Sequence, residues 1–219
     1  VAVIGSGSGG GVAANILNKK YEVGIFEKGS YGNGMTNNET FGYHNFYDTN
    51  GIQQTRGYKV LLLAGMGIGG GTSVNWTTSL RTPNQILNEW DTLTEQDNYF
   101  NSREFKNSMD YVCKELNVDI KNNRIPQKEE KLAEGLELNN LSYKIIPRNT
   151  SNDECTESGF STFGRYDESI NSTNKIWFSE ERFEPNNVFS DTNITSLDLS
   201  NGRATPVSYT HLTLPTKLA

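Results

Sequence analysis

Histidine and cysteine are scarce in this chain, at two residues each among 219. Cys113 and Cys155 could pair at most once, so no disulfide framework holds the fold, and no Cys/His spacing builds a metal site. Long apolar runs are also missing. No stretch could cross a bilayer as a helix and no secretory leader is present, although a longer chain could carry either before Val1. Basic charge is in deficit: 20 Lys and Arg against 26 Asp and Glu leave a net charge of -6 without a basic cluster. That argues against nucleic acid as a partner, because such binding rests on neutralising phosphates. Asn-x-Ser/Thr sequons start at Asn38, Asn75, Asn149, Asn171 and Asn193, and a chain rich in Asn and Thr makes them by chance.

Glycine, by contrast, is plentiful at 21 residues, and its placement carries the argument. The apolar run Val1, Val3, Ile4 reads as a buried parallel strand and breaks into Gly5-Ser6-Gly7-Ser8-Gly9-Gly10, a G-x-G-x-x-G between strand and helix. Gly5 takes the tight turn, Gly7 offers no Cβ to an approaching pyrophosphate, and Gly10 lets the following helix pack on the strand. That helix, from about Gly11 to Lys19, has Val12, Ala13, Ile16 and Leu17 at helical spacing and aims its free N–H groups at the phosphates. Tyr21 to Phe26 reads as the second strand. Glu27 at its end stands where a carboxylate accepts hydrogen bonds from ribose hydroxyls, the alternative being a solvated strand end. A carboxylate there repels a ribose phosphate, which disfavours NADP.

A second cluster, Gly65-Met66-Gly67-Ile68-Gly69-Gly70-Gly71-Thr72-Ser73-Val74-Asn75-Trp76, follows the apolar strand Val60 to Leu63. Two explanations are open for it. A long cofactor such as a flavin nucleotide needs further side-chain-free backbone beyond the first loop, and a tight crossing of two backbones needs the same thing. Paired with the first loop, the cluster favours the flavin.

VIGSGSGGGVAA, FEKG and LLAGMGIGGGTSVNW with its following RTP together resemble the N-terminal part of the glucose-methanol-choline (GMC) oxidoreductases, and within them the long-chain fatty alcohol oxidase branch. Met109 to Lys114, Ile146-Pro147-Arg148-Asn149 and Gly202-Arg203-Ala204-Thr205 add to the likeness, which runs to about residue 205. The chain departs from the branch between Thr150 and Thr173, where members usually carry several cysteines and this sequence has only Cys155. The resemblance implies an α/β, Rossmann-like FAD-binding domain with an inserted helical segment and the start of a substrate domain. It implies that Gly5, Ser6, Gly7, Gly10 and Glu27 hold the adenosine diphosphate part of FAD, with Gly69, Gly70, Thr72 and Asn75 beside the pyrophosphate and the flavin ring. It implies a lipophilic alcohol as substrate, an intracellular protein whose membrane association stays open, and a catalytic histidine in a later part of the protein.

The remaining chain reads as a polar, aromatic-dotted excursion over 29–59, lid-like in length, and a helical block over 82–140. Thr82-Pro83 starts one helix, Ser102 caps a second that reaches Leu116, and a third follows Ile125-Pro126 to Asn139-Asn140. Cys113 shares an apolar helix face with Phe105, Met109, Val112 and Leu116 and reads as a core thiol. Leu141 to Ile146 reads as a strand, Asn171 to Glu180 as a helix, and Asn187 to Ser190 and Asn193 to Leu199 as strands ending at the turn Asn201-Gly202. Pro206 to Thr216 resembles a translated sequencing adapter, so residues 206–219 are expected to be a non-native tail on a fragment spanning 1–205.

Four functions fit. They are an FAD-dependent alcohol oxidoreductase, another flavoenzyme on the same loop, an NAD-dependent dehydrogenase that would not need the second glycine cluster, and a non-catalytic fragment. No catalytic residue is nominated, because His44 is isolated in a polar stretch and the only other histidine, His211, lies in the tail.

Overall fold

A strand ends where its chain must turn back on itself, and at Gly5 the backbone adopts φ +85°, which side-chain-bearing residues rarely enter. In the computed structural model β1 (Ala2–Ile4) stops there, and α1 (Ser8–Leu17) carries the chain to β2 (Gly24–Phe26). The structure describes residues 1–31, 39–121, 125, 127–151, 170–179, 181–184, 187–200, 203–204 and 208–211. Because a helix intervenes, β2 pairs parallel with β1, Val3 opposite Ile25. A third parallel strand, β7 (Val188–Phe189), flanks β2 and gives the order β1-β2-β7. Phe26 and Phe189 stack across this pair with centroids 5.0 Å apart.

The chain divides into two units. Residues 1–76 and those from Ser172 onward form the first. Its core is Ala14, Val23, Ile25, Ile68, Trp177, Phe178 and Phe183, all buried. Burying an aliphatic or aromatic side chain of this kind is worth about 1.5–3 kcal/mol. Trp177 ends α6 (Thr173–Trp177), which packs on α1.

The inward face of α1 is not the one its apolar spacing predicts. Gly11, Ala14 and Asn15 are buried, whereas Ile16 is half exposed and Ala13 is exposed. The reason is close approach: a Cβ at Gly11 would overlap the Thr173 side chain, so the helix turns its smallest residues towards α6. Val1 and Ile4 are likewise exposed.

Within the excursion, α2 (Glu39–Phe46) leads into β3 (Tyr47–Gln54), which pairs antiparallel with β4 (Leu61–Gly65). Phe46, Tyr47 and Val74 form a small core with Tyr43 against it. Leu61, Leu62 and Leu63 remain exposed. Further along, β8 (Thr192–Ser196) pairs with β11 (Ser208–His211), and β9 (Leu199–Ser200) with β10 (Arg203–Ala204). β11 falls within the stretch expected to be a tail.

The second unit, among described residues, spans 77–151 and 170–171. It holds α3 (Asn84–Leu93), α4 (Arg103–Glu115), β5 (Val118–Asp119), α5 (Gln127–Leu138) and β6 (Arg148–Asn149). Ser102 caps α4 as its sequence predicts, its Oγ accepting from the Phe105 N–H at 3.1 Å. Leu141 to Ile146, expected as a strand, is not one. Its apolar side chains lie exposed, and the β-ladder of this region is the short pairing of Arg148 opposite Asp119. Cys113 is half-buried rather than in a core, and α4 buries none of its residues fully.

Asn149 and Asn171 are 4% and 2% exposed, and their side-chain amides donate to the Asn171 and Leu116 carbonyls. Neither sequon could carry a glycan in this fold. Cys155, the Asn38 sequon, the Asn201-Gly202 turn and residues 212–219 lie outside the described residues.

Candidate cofactor site

The residues expected to meet a nucleotide all lie within the first unit. At the N-terminus of α1, Gly7 stands at the cap with extended backbone (φ -65°, ψ -169°) and contributes no side-chain cap. The first-turn N–H groups of a helix have no intrahelical partner, and with the dipole they form a ready anion site. No acidic residue occupies that turn. A Cβ built on Gly7 meets nothing within 4 Å, so the space ahead of it is open. Gly10 differs, because a Cβ there would overlap the Gly5 carbonyl. This is the close helix–strand contact expected of it.

The second cluster comes to the same place. β4 delivers Gly65, and the 3-10 turn Gly70–Ser73 follows, with Gly67, Gly69 and Gly70 at φ +108°, +92° and +52°. A Cβ on Gly70 would lie 3.2 Å from the Cα of Gly7, so the two glycine runs touch. Ser6 fastens them. Fully buried, its hydroxyl donates to Glu27 Oε2 at 2.7 Å and accepts from the Gly69 N–H at 3.0 Å.

Glu27 is 5% exposed and is not a solvated strand end. Its Oε2 also accepts from the Ser6 N–H at 2.9 Å, and its Oε1 from the Gly29 N–H at 3.0 Å. A carboxylate has about four acceptor positions, so three are committed and Oε1 keeps capacity for a further donor. The Thr72 hydroxyl donates to the Gly69 carbonyl at 2.6 Å and accepts from the Thr173 N–H at 3.0 Å, holding loop to helix. Asn75 is exposed.

Sequence reasoning missed Gly11 and Thr173, whose contact sets how α6 meets α1. The signal for Gly11 was a third consecutive glycine after Gly9 and Gly10. Thr173, far along the chain, left none.

A family model for GMC oxidoreductase matches residues 8–215. The chain belongs to the GMC oxidoreductase family. Among curated proteins this GMC chain is 34% identical over 178 residues to long-chain-alcohol oxidase FAO4B of Arabidopsis thaliana, a match covering 80% of this chain and 23% of that protein. It is equally 34% identical to long-chain-alcohol oxidase FAO4A of the same plant, over 80% of this chain and 24% of the relative. With FAO1 the figure is 36% over 152 residues, 68% of this chain and 20% of that protein. The chain therefore spans about a quarter of the length of the curated relatives it matches.

Among the described residues no group of His, Cys, Asp and Glu could hold a metal ion, and no helix is long and apolar enough to cross a membrane.

Proposed function

We propose that this chain is the FAD-binding part of an oxidoreductase that converts a long-chain primary alcohol to its aldehyde. The observation that carries the reading is the meeting of the two glycine runs at Gly7 and Gly70, beside an uncapped helix N-terminus. A mononucleotide loop alone does not need the second run. A flavin nucleotide that reaches past the first loop uses such further side-chain-free backbone.

The residues fit such a group. Ser8, Gly9 and Gly10 would present N–H groups to the pyrophosphate across Gly7, Glu27 Oε1 would accept from a ribose hydroxyl, and the Gly69–Thr72 turn with Asn75 would lie along the flavin half. The bound flavin would supply a hydride acceptor for the carbinol carbon. The chain's own contribution is to hold, orient and shield the nucleotide. In the same reading, α3 to α5 are the helical segment inserted into the FAD domain, β8 to β10 begin a substrate domain, and residues 206–219 are foreign. The lipophilic substrate, intracellular location and any membrane association rest on the resemblance to long-chain-alcohol oxidases.

The test is reconstitution. After incubation with FAD and desalting, the 219-residue chain should retain a yellow flavin spectrum. A colourless protein that binds NADH tightly would overturn the proposal. Alcohol turnover should be absent even with FAD bound, because removing the hydroxyl proton needs a positioned base and His44 sits exposed on α2. Turnover abolished by His44→Ala would move the catalytic centre to that helix.

A further inference from the structure

We infer that the Ser6 hydroxyl is a positioning group that joins the ribose-side carboxylate to the second glycine run and so sets how much more tightly the chain holds FAD than ADP. The inference rests on the FAD reading above. It begins from an asymmetry in the hydrogen bonds around one buried atom.

A hydroxyl has one proton to donate. At Ser6 the carboxylate Oε2 of Glu27, at 2.7 Å, takes it ahead of the Gly67 carbonyl at 3.3 Å. The remaining acceptor capacity of Oγ serves the Gly69 N–H at 3.0 Å. Ser6 and Gly69 are both buried, so neither bond is readily exchanged for one to water. Charge-assisted polarisation runs through this chain of bonds: the carboxylate pulls the hydroxyl proton, and the oxygen becomes a better acceptor for Gly69.

Removing the hydroxyl does not affect the two ends equally. Glu27 keeps two backbone donors, the Ser6 and Gly29 N–H groups, and stays oriented. Gly69 loses the acceptor of its amide, and a buried donor left unmade is costly. The loop would not unfold, because the Ile68 N–H still donates to the Ser30 carbonyl and the Gly70 N–H to the Gly67 carbonyl. It would lose its register against Gly7. The first-loop backbone and Glu27 are what ADP would use, whereas the Ser6 hydroxyl is committed to Glu27 and the Gly69 N–H rather than to a ligand. The second run is what FAD would use in addition.

The test measures binding of ADP and of FAD to the full chain and to Ser6→Ala by calorimetry, with hydrogen exchange of the Gly69 amide followed in cofactor-free protein. FAD affinity should fall by roughly tenfold or more while ADP affinity changes by less than about threefold, and Gly69 exchange should accelerate. If Ser6→Ala does not fold, Ser6→Cys, a slightly larger side chain with only a weak donor, is read in the same way. A parallel fall for both ligands would overturn the inference, since Ser6 would then serve the first loop alone. Unchanged FAD binding or unchanged Gly69 exchange would also overturn it. A wild-type chain that binds neither ligand would overturn the FAD reading and the ligand half of this inference with it, while Gly69 exchange would still decide whether Ser6 joins the loops.

Discussion

The two glycine runs look alike in sequence and differ in what the fold asks of them. In the second run the protein's own geometry accounts for most of the glycines: Gly67, Gly69 and Gly70 have positive φ, and a Cβ on Gly65 would lie 2.6 Å from Gly71. The tight crossing of backbones that the sequence left open is present here. In the first run Gly5 is needed for its φ and Gly10 for its packing, but Gly7 is needed for neither. Its φ is -65° and a side chain on it would project into open space. A glycine that the fold does not require is better evidence for a ligand than one that it does.

That distinction can be broken experimentally, and the largest effect is expected where the fold itself depends on glycine. Gly10→Ala forces a methyl into the Gly5 carbonyl, and overpacking against backbone should cost about 3 kcal/mol or more. The variant should show lost cooperative unfolding or insoluble expression, and a normal melting temperature would refute the close contact. Gly7→Val should do the reverse. The melting temperature should stay within about 4 °C of wild type, the shift that ~1 kcal/mol makes in a chain of this size. FAD retention on desalting should be abolished. If Gly7→Val melts like Gly10→Ala, the two positions are not distinct and the ligand argument from Gly7 fails.

How far the site was legible follows the same line. The first loop could be read because every part of it is local: strand, glycines, helix and acid lie within the first 27 residues, and the order alone restricts the geometry. The position of Glu27 was legible and its company was not, since Ser6 and Gly29 donate to it through backbone folding that no periodicity encodes. The inward face of α1 was misread because small residues, not large ones, made the contact with Thr173. The Leu141–Ile146 strand was misread for a related reason: an apolar run shows that a segment could pair, and only the rest of the chain decides whether a partner arrives.

Between the extremes stands Glu27→Gln. A carboxamide turns one acceptor into a donor, which would then face the Gly29 N–H or the Ser6 N–H and hydroxyl. About 1–3 kcal/mol should be lost, partly as stability of the apo chain and partly as FAD affinity. Denaturant unfolding of apo protein, set beside FAD titration, separates the two. Unchanged values in both would show that the carboxylate neither ties the loops nor meets the ribose.

The smallest effect, and the sharpest for the second run, is expected at Gly71. It is the one glycine of that run with neither a positive φ nor a neighbour within 4 Å of its Cβ position, so it matches Gly7 in its independence from the fold. It lies in the 3-10 turn and is exposed. Ala should therefore be accommodated, with a gain of about 0.4–1 kcal/mol from the less flexible unfolded chain. If the flavin half of a cofactor passes this turn, the same methyl should lower FAD affinity while ADP binding stays unchanged. Titration of both ligands against Gly71→Ala, alongside its melting curve, reads all three quantities. A more stable variant with undiminished FAD affinity would show that the second run crosses the first for packing alone at this residue, and the cofactor's path would have to lie on the Gly7 side.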